Sequence, residues 1–341
     1  MRCSSLPCLI RIVCIAAATM LAGRVNATDL MGVAIYFGAN DSIYRVNSDG
    51  SAASAVVNPT ESGWKVRQWV IDELNQRIYS AEEPSVGVGN TRIFSTAMDG
   101  SDRTTIYSGS ELGRVNYGMA VDGAEGSVFL HSHDGIPVAS GGPSFDGRIQ
   151  RISISSGAVL QLPTTTWYSR LDTDPASSSL YYTDVTGFSS GGPSIYSLNG
   201  LKRSNYDGTS IQSVPVSGVT PDGELVVSAA TNKVFFSSGN LGGIYSANLG
   251  GGSSALLAST AGYVFIDYDS VNSQLYWLDS GGIHRSAPDG SGAAVVVLSD
   301  VVGTSYSRLQ VVAVPEPSTC AMALAGLACG GYSLFRRRRA R

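Results

Sequence analysis

The chain has 341 residues, 43% of them hydrophobic and 40 of them glycine, with a formal net charge of −4 at pH 7 and five cysteines. Eight of the 23 basic residues, one of the 27 acidic residues and all five cysteines fall in the first 27 or the last 27 residues, so the stretch between carries 15 basic against 26 acidic residues, a net charge near −11, and no cysteine. This excludes a disulfide framework, a Cys-ligated zinc and a thiol nucleophile in the body. It also argues against nucleic acid, which needs a basic footprint, and disfavours anionic polymers unless a cation bridges.

At the N-terminus, Arg2 and Arg11 precede an apolar run from Ile12 to Ala22, and Val25-Asn26-Ala27 is a small-residue cleavage site. Residues 1–27 therefore predict a secretory signal peptide, with the mature chain starting near Thr28. Arg24, not cysteine, follows Leu21-Ala22-Gly23, which argues against a lipid anchor at that point.

From there to residue 314 the sequence repeats itself. An aliphatic-Asp step, an aliphatic-aromatic step, an Ile with polar neighbours and an Asp-Gly-Ser turn recur, as in Ile71-Asp72, Ile78-Tyr79, Arg92-Ile93-Phe94 and Asp99-Gly100-Ser101. Taking Asp72, Asp122, Asp172, Asp222 and Asp267 as markers gives spacings of 50, 50, 50 and 45 residues. The aliphatic-aromatic step occurs six times, at Ile35, Ile78, Val128, Leu180, Val234 and Leu275. A period of this length, built of short β-branched and aromatic runs between Gly-rich turns, is the signature of a propeller blade.

The predicted fold is all-β: a six-bladed β-propeller of four-stranded blades over 28–314. The blades fall at approximately 31–66 plus 306–314, 67–116, 117–166, 167–217, 218–262 and 263–305. Tyr306 to Val312 resembles the first strand of a blade with no blade after it, so it is expected to complete blade 1 and close the ring. Closure of this kind hides edges that would otherwise pair with other chains. Leu180-Tyr181-Tyr182-Thr183-Asp184 and Leu275-Tyr276-Trp277-Leu278-Asp279 resemble the YWTD repeat of low-density lipoprotein receptor propellers. The other four copies lack the Thr-Asp ending, and NHL-type propellers are competitors for the resemblance.

Candidate functional residues are of three kinds. The loops between second and third strands are long at Glu82–Asn90, His131–Gly147 and Asp184–Ser194, building up one sector of one face. Aromatic residues stand just before the inner strands: Tyr117, Trp167, Tyr168, Tyr263 and Tyr306 are candidate ligand contacts, since flat rings on a wet rim pack against sugars or peptides, or else fill spaces between blades. His131 and His133, followed by Asp134, are a weaker candidate for a metal, because alternate residues of a strand share a face. The repeated aspartates are read as structural, accepting backbone hydrogen bonds at turns. Asp172 with Asp174 and Asp267 with Asp269 make calcium possible, without a full calcium-loop spacing; no other cofactor is expected. Gly187-Phe188-Ser189-Ser190-Gly191 spells G-x-S-x-G, but it is a Gly/Ser loop in an all-β repeat, not a strand-to-helix elbow.

The chain ends in a tail, 315–341. Pro315-Glu316-Pro317 is followed by an uncharged stretch over 319–335, which as a helix of about 25 Å is a marginal transmembrane span. Arg336, Arg337, Arg338, Arg339 and Arg341 then hold the end on the cytoplasmic side. These three parts in order resemble the PEP-CTERM sorting tail of Gram-negative bacteria, which is read by a membrane protease-transpeptidase, exosortase; an ordinary C-terminal anchor is the plainer alternative. The resemblance implies export, transient anchoring in the inner membrane, removal of the tail near Pro315–Pro317 and delivery to the cell surface or extracellular polysaccharide. The functional expectation is a non-catalytic propeller that binds a glycan or a surface protein there. A matrix scaffold without a specific ligand and a metal-dependent hydrolase or lactonase are the alternatives.

Overall fold

The computed structural model describes residues 32–85, 90–133, 147–166, 169–186, 197–239, 241–260, 264–299 and 306–313. The expected leader, 1–27, and the tail, 315–341, on which the expectations of a transmembrane helix and an arginine anchor fall, lie outside them. Residues 34–313 form one compact unit. Among the described residues it holds six four-stranded sheets and no α-helix.

Blades 2 and 3 read Trp64–Asp72, Arg77–Pro84, Thr91–Ala97, Thr104–Gly109 and Arg114–Asp122, Ser127–His133, Arg148–Ser153, Val159–Thr165, from inner to outer strand. Blades 4 and 5 read Leu171–Asp174, Ser179–Thr186, Ser197–Asn205, Gln212–Val214 and Leu225–Ser228, Lys233–Ser238, Gly243–Asn248, Ala255–Ser259. Blade 6 is Phe265–Asp269, Gln274–Asp279, Gly282–Ser286 and Val295–Leu298. Blade 1 takes its inner strand, Tyr306–Ala313, from the end of the body and its other three, Val33–Ala39, Ser42–Asn47 and Ser54–Val57, from the start. The six-bladed propeller closed by a C-terminal strand is thus the observed fold.

The aliphatic-aromatic runs follow from what a blade must do. A strand puts successive side chains on opposite faces, and here both faces are covered by neighbouring blades. Val128 and Leu130 pack with Val70, Tyr79 and Ile93 of blade 2, while Phe129 between them packs with Leu171, Leu180 and Tyr182 of blade 4. Tyr181 likewise packs with Val234 and Phe236 of blade 5, and Phe235 with Ile266, Leu275 and Trp277 of blade 6. The core is therefore a set of seams between blades. Full burial of each large side chain contributes about 1.5–3 kcal/mol.

The turns explain the polar part of the repeat. In four blades the third strand ends in Asp-Gly-Ser or Asp-Gly-Thr, where the Asp carboxylate accepts the N–H two residues on, at 2.8–2.9 Å, as at Asp49, Asp99, Asp207 and Asp289. The glycine between sits at φ of 75° to 89°, which only glycine adopts cheaply.

The five marker aspartates do not occupy one position, and this corrects the sequence reading. Strand register places Asp72 and Asp122 opposite Arg77 and Ser127, at the last pair before the inner turn; the equivalents in blades 4 and 6 are Asp174 and Asp269, opposite Ser179 and Gln274. Those four cap the turn: Asp72 accepts from Asn75 N, Asp122 from Ala124 N and Glu125 N, Asp174 from Ala176 N, and Asp269 from Val271 N and Asn272 N. Asp172 and Asp267 stand two residues earlier, and Asp222 precedes its inner strand and accepts from Gly239 N. Two residues along a strand preserve the face, so a spacing of 50 cannot separate the two positions.

Asp172 and Asp267 face the central channel, where a cavity of about 290 Å³ is also lined by Ile71, Glu73, Val121 and Gln310. At this level side chains tie the inner strands of several neighbouring blades together. Gln310 Oε1 accepts Ile71 N–H at 2.7 Å, Asp172 Oδ2 accepts Val227 N–H at 2.6 Å, and Asp267 Oδ2 accepts Val311 N–H at 2.5 Å. Thr173 Oγ1 donates to Val121 O at 2.8 Å, and the buried Arg308 donates to Met119 O of blade 3.

Two outcomes follow from these ties. Gln310→Leu leaves the Ile71 N–H without its acceptor, and denaturant unfolding should show a loss of about 1–3 kcal/mol. Burial, with the charges of Glu73 and Asp172, pushes the Asp267 carboxyl up to about 7; burial and Glu224 raise Asp172 to about 6 against the opposing Arg308. Unfolded aspartate titrates near about 3.9. The folded state therefore holds the extra protons, and the stability they bring is complete below about pH 4 and lost as pH rises through 6 and 7. In Asp172→Asn with Asp267→Asn, whose amide oxygens still accept the same N–H groups, thermal melts should lose this decline; an identical pH profile in both proteins would contradict the assignment.

Candidate functional site

The second strand of each blade carries, two residues beyond its central aromatic, a position that packs under the rim where the second-to-third loops leave. Register makes these positions Gly38, Ala81, His131, Thr183, Ser237 and Leu278. Five are small or aliphatic. In blades 4 and 5 the hydroxyl binds the chain just ahead of the inner strand, Thr183 Oγ1 accepting Arg170 N–H and Ser237 Oγ accepting Glu224 N–H, both at 2.8 Å.

Blade 3 departs from this rule in two ways at one place. Its position is the imidazole of His131. Opposite it the inner strand bulges: Val115 pairs with Ser132 and Met119 with Leu130, so Asn116, Tyr117 and Gly118 stand against His131 alone. The irregularity in blade 2 is milder, with the single extra residue Arg67. A bulge bends the strand and re-aims a side chain. The result is that the Tyr117 ring lies 5.7 Å from the His131 ring and 6.3 Å from that of His133. The alternation of a strand puts both histidines on one face, as the sequence predicts, and both are buried.

His131 is held rigidly. Its Nε2 is 2.9 Å from Thr166 O; a carbonyl only accepts, so Nε2 carries the proton. A Cβ on Gly147 would come within 1.9 Å of that carbonyl and 2.8 Å of Nε2, which explains the glycine there. The other nitrogen, Nδ1, is buried and has no hydrogen-bond partner among the described residues. An unmet buried acceptor costs about 1–3 kcal/mol. Burial pushes the imidazole down to about 4, with His133 and Arg170 adding in the same direction, so the ring is neutral at neutral pH.

Around this group, Arg170 donates to Tyr117 O, lies 3.3 Å from the buried carboxylate of Glu224 and reaches over the Phe265 ring at 5.7 Å. Nothing in the sequence pattern singles out Arg170 or Glu224; each precedes its inner strand, where the repeat is least regular.

Of the predicted ligand contacts, the structure brings Tyr117 together with the histidine pair. Trp167, Tyr168, Tyr263 and Asp134 lie outside the described residues, as do 86–89, 134–146 and 187–196 within the long loops. Tyr306 opens the closing strand, its side chain outside the description. His284 is in blade 6, bonded to Asp279 at 3.0 Å and stacked on Trp277. Among the described residues no three His, Cys, Asp or Glu side chains converge on a metal position.

Residues 313–339 match the PEP-CTERM protein-sorting motif. The motif implies export, C-terminal membrane anchoring before processing, and processing by exosortase. No curated protein matches the chain in sequence. Among solved structures the fold is similar to a chain of the nidogen/laminin complex, with a TM-score of 0.63 and 16% identity over 83% of this chain and 99% of that one. It is also similar to TolB from Acinetobacter baumannii, with a TM-score of 0.61 and 11% identity over 88% and 71% of the two chains. At these identities the likeness is one of fold: an exported chain with a PEP-CTERM sorting motif is built as a six-bladed propeller of the kind seen in the nidogen complex.

Proposed function

We propose that the body is a non-catalytic binding module of the cell surface or extracellular polysaccharide matrix, and that it takes a glycan of that matrix at the rim of blade 3. The observation that supports this reading is the bulge that lifts Tyr117 out of the repeat and over two buried histidines. An aromatic ring held by a bulge offers a flat apolar surface at little entropic cost, and sugars stack on such surfaces while their hydroxyls seek fixed polar groups. Arg170 and Glu224 give the neighbourhood those polar groups. The arginine is tied to a carbonyl and a carboxylate, and the buried histidine is fixed in one tautomer, an arrangement suited to holding a ligand in one pose. The sorting motif supplies the location.

The test uses the mature protein released from cells. Saturable binding to polysaccharide from the matrix is expected, and Tyr117→Ala should weaken it by about 1–2 kcal/mol, roughly 5- to 30-fold. No saturable binding, with normal matrix in cells carrying the variant, would favour a scaffold without a specific ligand. Saturation by a surface protein but not by polysaccharide would replace the glycan with a protein partner.

Sorting has its own outcome. Replacing Pro315, Glu316 and Pro317 by alanine should leave an uncleaved, membrane-held form, visible as a larger band in the membrane fraction on immunoblots. Normal release of that variant would count against handling by exosortase.

A further inference from the structure

A histidine that ligates a metal through one ring nitrogen usually donates its other N–H to a carbonyl or carboxylate, which fixes the tautomer and the direction of the lone pair. His131 has that second half already. Its Nε2–H is on Thr166 O, the contact is clamped by Gly147, and Nδ1 is left bare in the interior. The equivalent positions in blades 2 and 6, Ala81 and Leu278, carry no polar atom that could be left unmet. The repeat therefore does not call for an imidazole here. His133 is two residues on, on the same face, and the same tyrosine ring lies against both. Imidazole nitrogen suits zinc, copper and nickel more than calcium, which takes oxygen.

We propose that His131 Nδ1 and His133 form a two-imidazole seat for a divalent transition-metal ion beneath Tyr117, with zinc as the probe ion. Arg170, whose charge acts on His131, is offset by Glu224 at 3.3 Å, and Arg114 is the cross-strand partner of His133. Among the described residues the two imidazoles are the protein ligands, and a position left open beside them would be taken by water or a bound ligand, as in open rather than closed zinc sites. Such a seat would also give this acidic body a cation able to bridge to an anionic polymer.

The experiment is a calorimetric titration of chelator-stripped mature protein with Zn²⁺ at about pH 7.5, paralleled by Co²⁺ absorption spectra. One zinc per chain is expected, with a dissociation constant of about 1–10 μM. His131→Ala and His133→Ala should each weaken binding about 10- to 100-fold and abolish the visible cobalt band, whereas His284→Ala should change neither. Alanine stands at this position in blade 2, so His131→Ala is compatible with the blade, and a melting curve checks the fold of each variant. Zinc that does not bind stoichiometrically, or binds equally well to both single variants, overturns the proposal. No glycan is present in this titration, so its failure leaves the binding reading of Tyr117 standing, and the reverse also holds.

Discussion

The structure depends on one constraint: the second strand of every blade is buried on both faces, so no blade is complete without a neighbour on each side. Phe129 serves the seam with blade 4 and Val128 the seam with blade 2 from adjacent positions on one strand. A linear row of such sheets would leave two apolar faces in water at about 25 cal/mol per Å². A ring leaves none, provided the last seam is made. Here the chain makes it with a strand from the other end of the body, Tyr306–Ala313. Three side chains then fasten that strand beyond its own sheet: Asp267 from blade 6 holds Val311, Gln310 holds Ile71 of blade 2, and Arg308 crosses to Met119 of blade 3. The channel is polar because the closing bonds run through it, and its two half-sheltered carboxyls are the cost of that arrangement.

Most of the architecture was legible because a propeller is periodic and its period is set by burial. Six aliphatic-aromatic steps mark six second strands, and the unpaired Tyr306–Val312 segment marks the closure. The aspartates were legible only as a class. Asp72 and Asp174 cap inner turns while Asp172 ties two blades, yet all look alike in sequence, because strand parity hides a shift of two residues. The candidate site was half legible. The His131–His133 alternation predicted a shared face, and Tyr117 was singled out by its place ahead of an inner strand. Their meeting was not predictable, because it depends on a bulge in which three residues face one, and no local residue pattern announces that register. Arg170 and Glu224 were missed for a similar reason: each acts across a seam between blades, a relation that only the closed ring creates.

That the site lies where the repeat fails is itself an argument. Each blade is under the same demand to fill two seams, and the position of His131 is met elsewhere by Gly, Ala, Thr, Ser or Leu. A fully buried imidazole with one unmet nitrogen is a worse solution to that demand than any of these. Where local chemistry departs from what the fold asks, function is the usual reason. The departure is also concerted: the bulge, the clamp at Gly147 and the paired histidines all act on the same few ångströms of blade 3.

The border between the wheel and its address follows from proline chemistry. Ala313 is the last residue of the closing strand and the first of the sorting motif. The three side-chain ties that fasten the strand beyond its own sheet are made at residues 308, 310 and 311. Pro315 and Pro317 have no N–H to offer a sheet and bias the residues before them toward extended chain. Both properties disfavour continuing the closing strand through them. A cut beyond Ala313 would leave those three ties in the wheel, whereas a cut at Val311 would break the closing strand itself. Folding and sorting can thus share one short segment because the side-chain ties of the closing strand end at Val311, ahead of the two prolines, with Ala313 the one residue common to strand and motif.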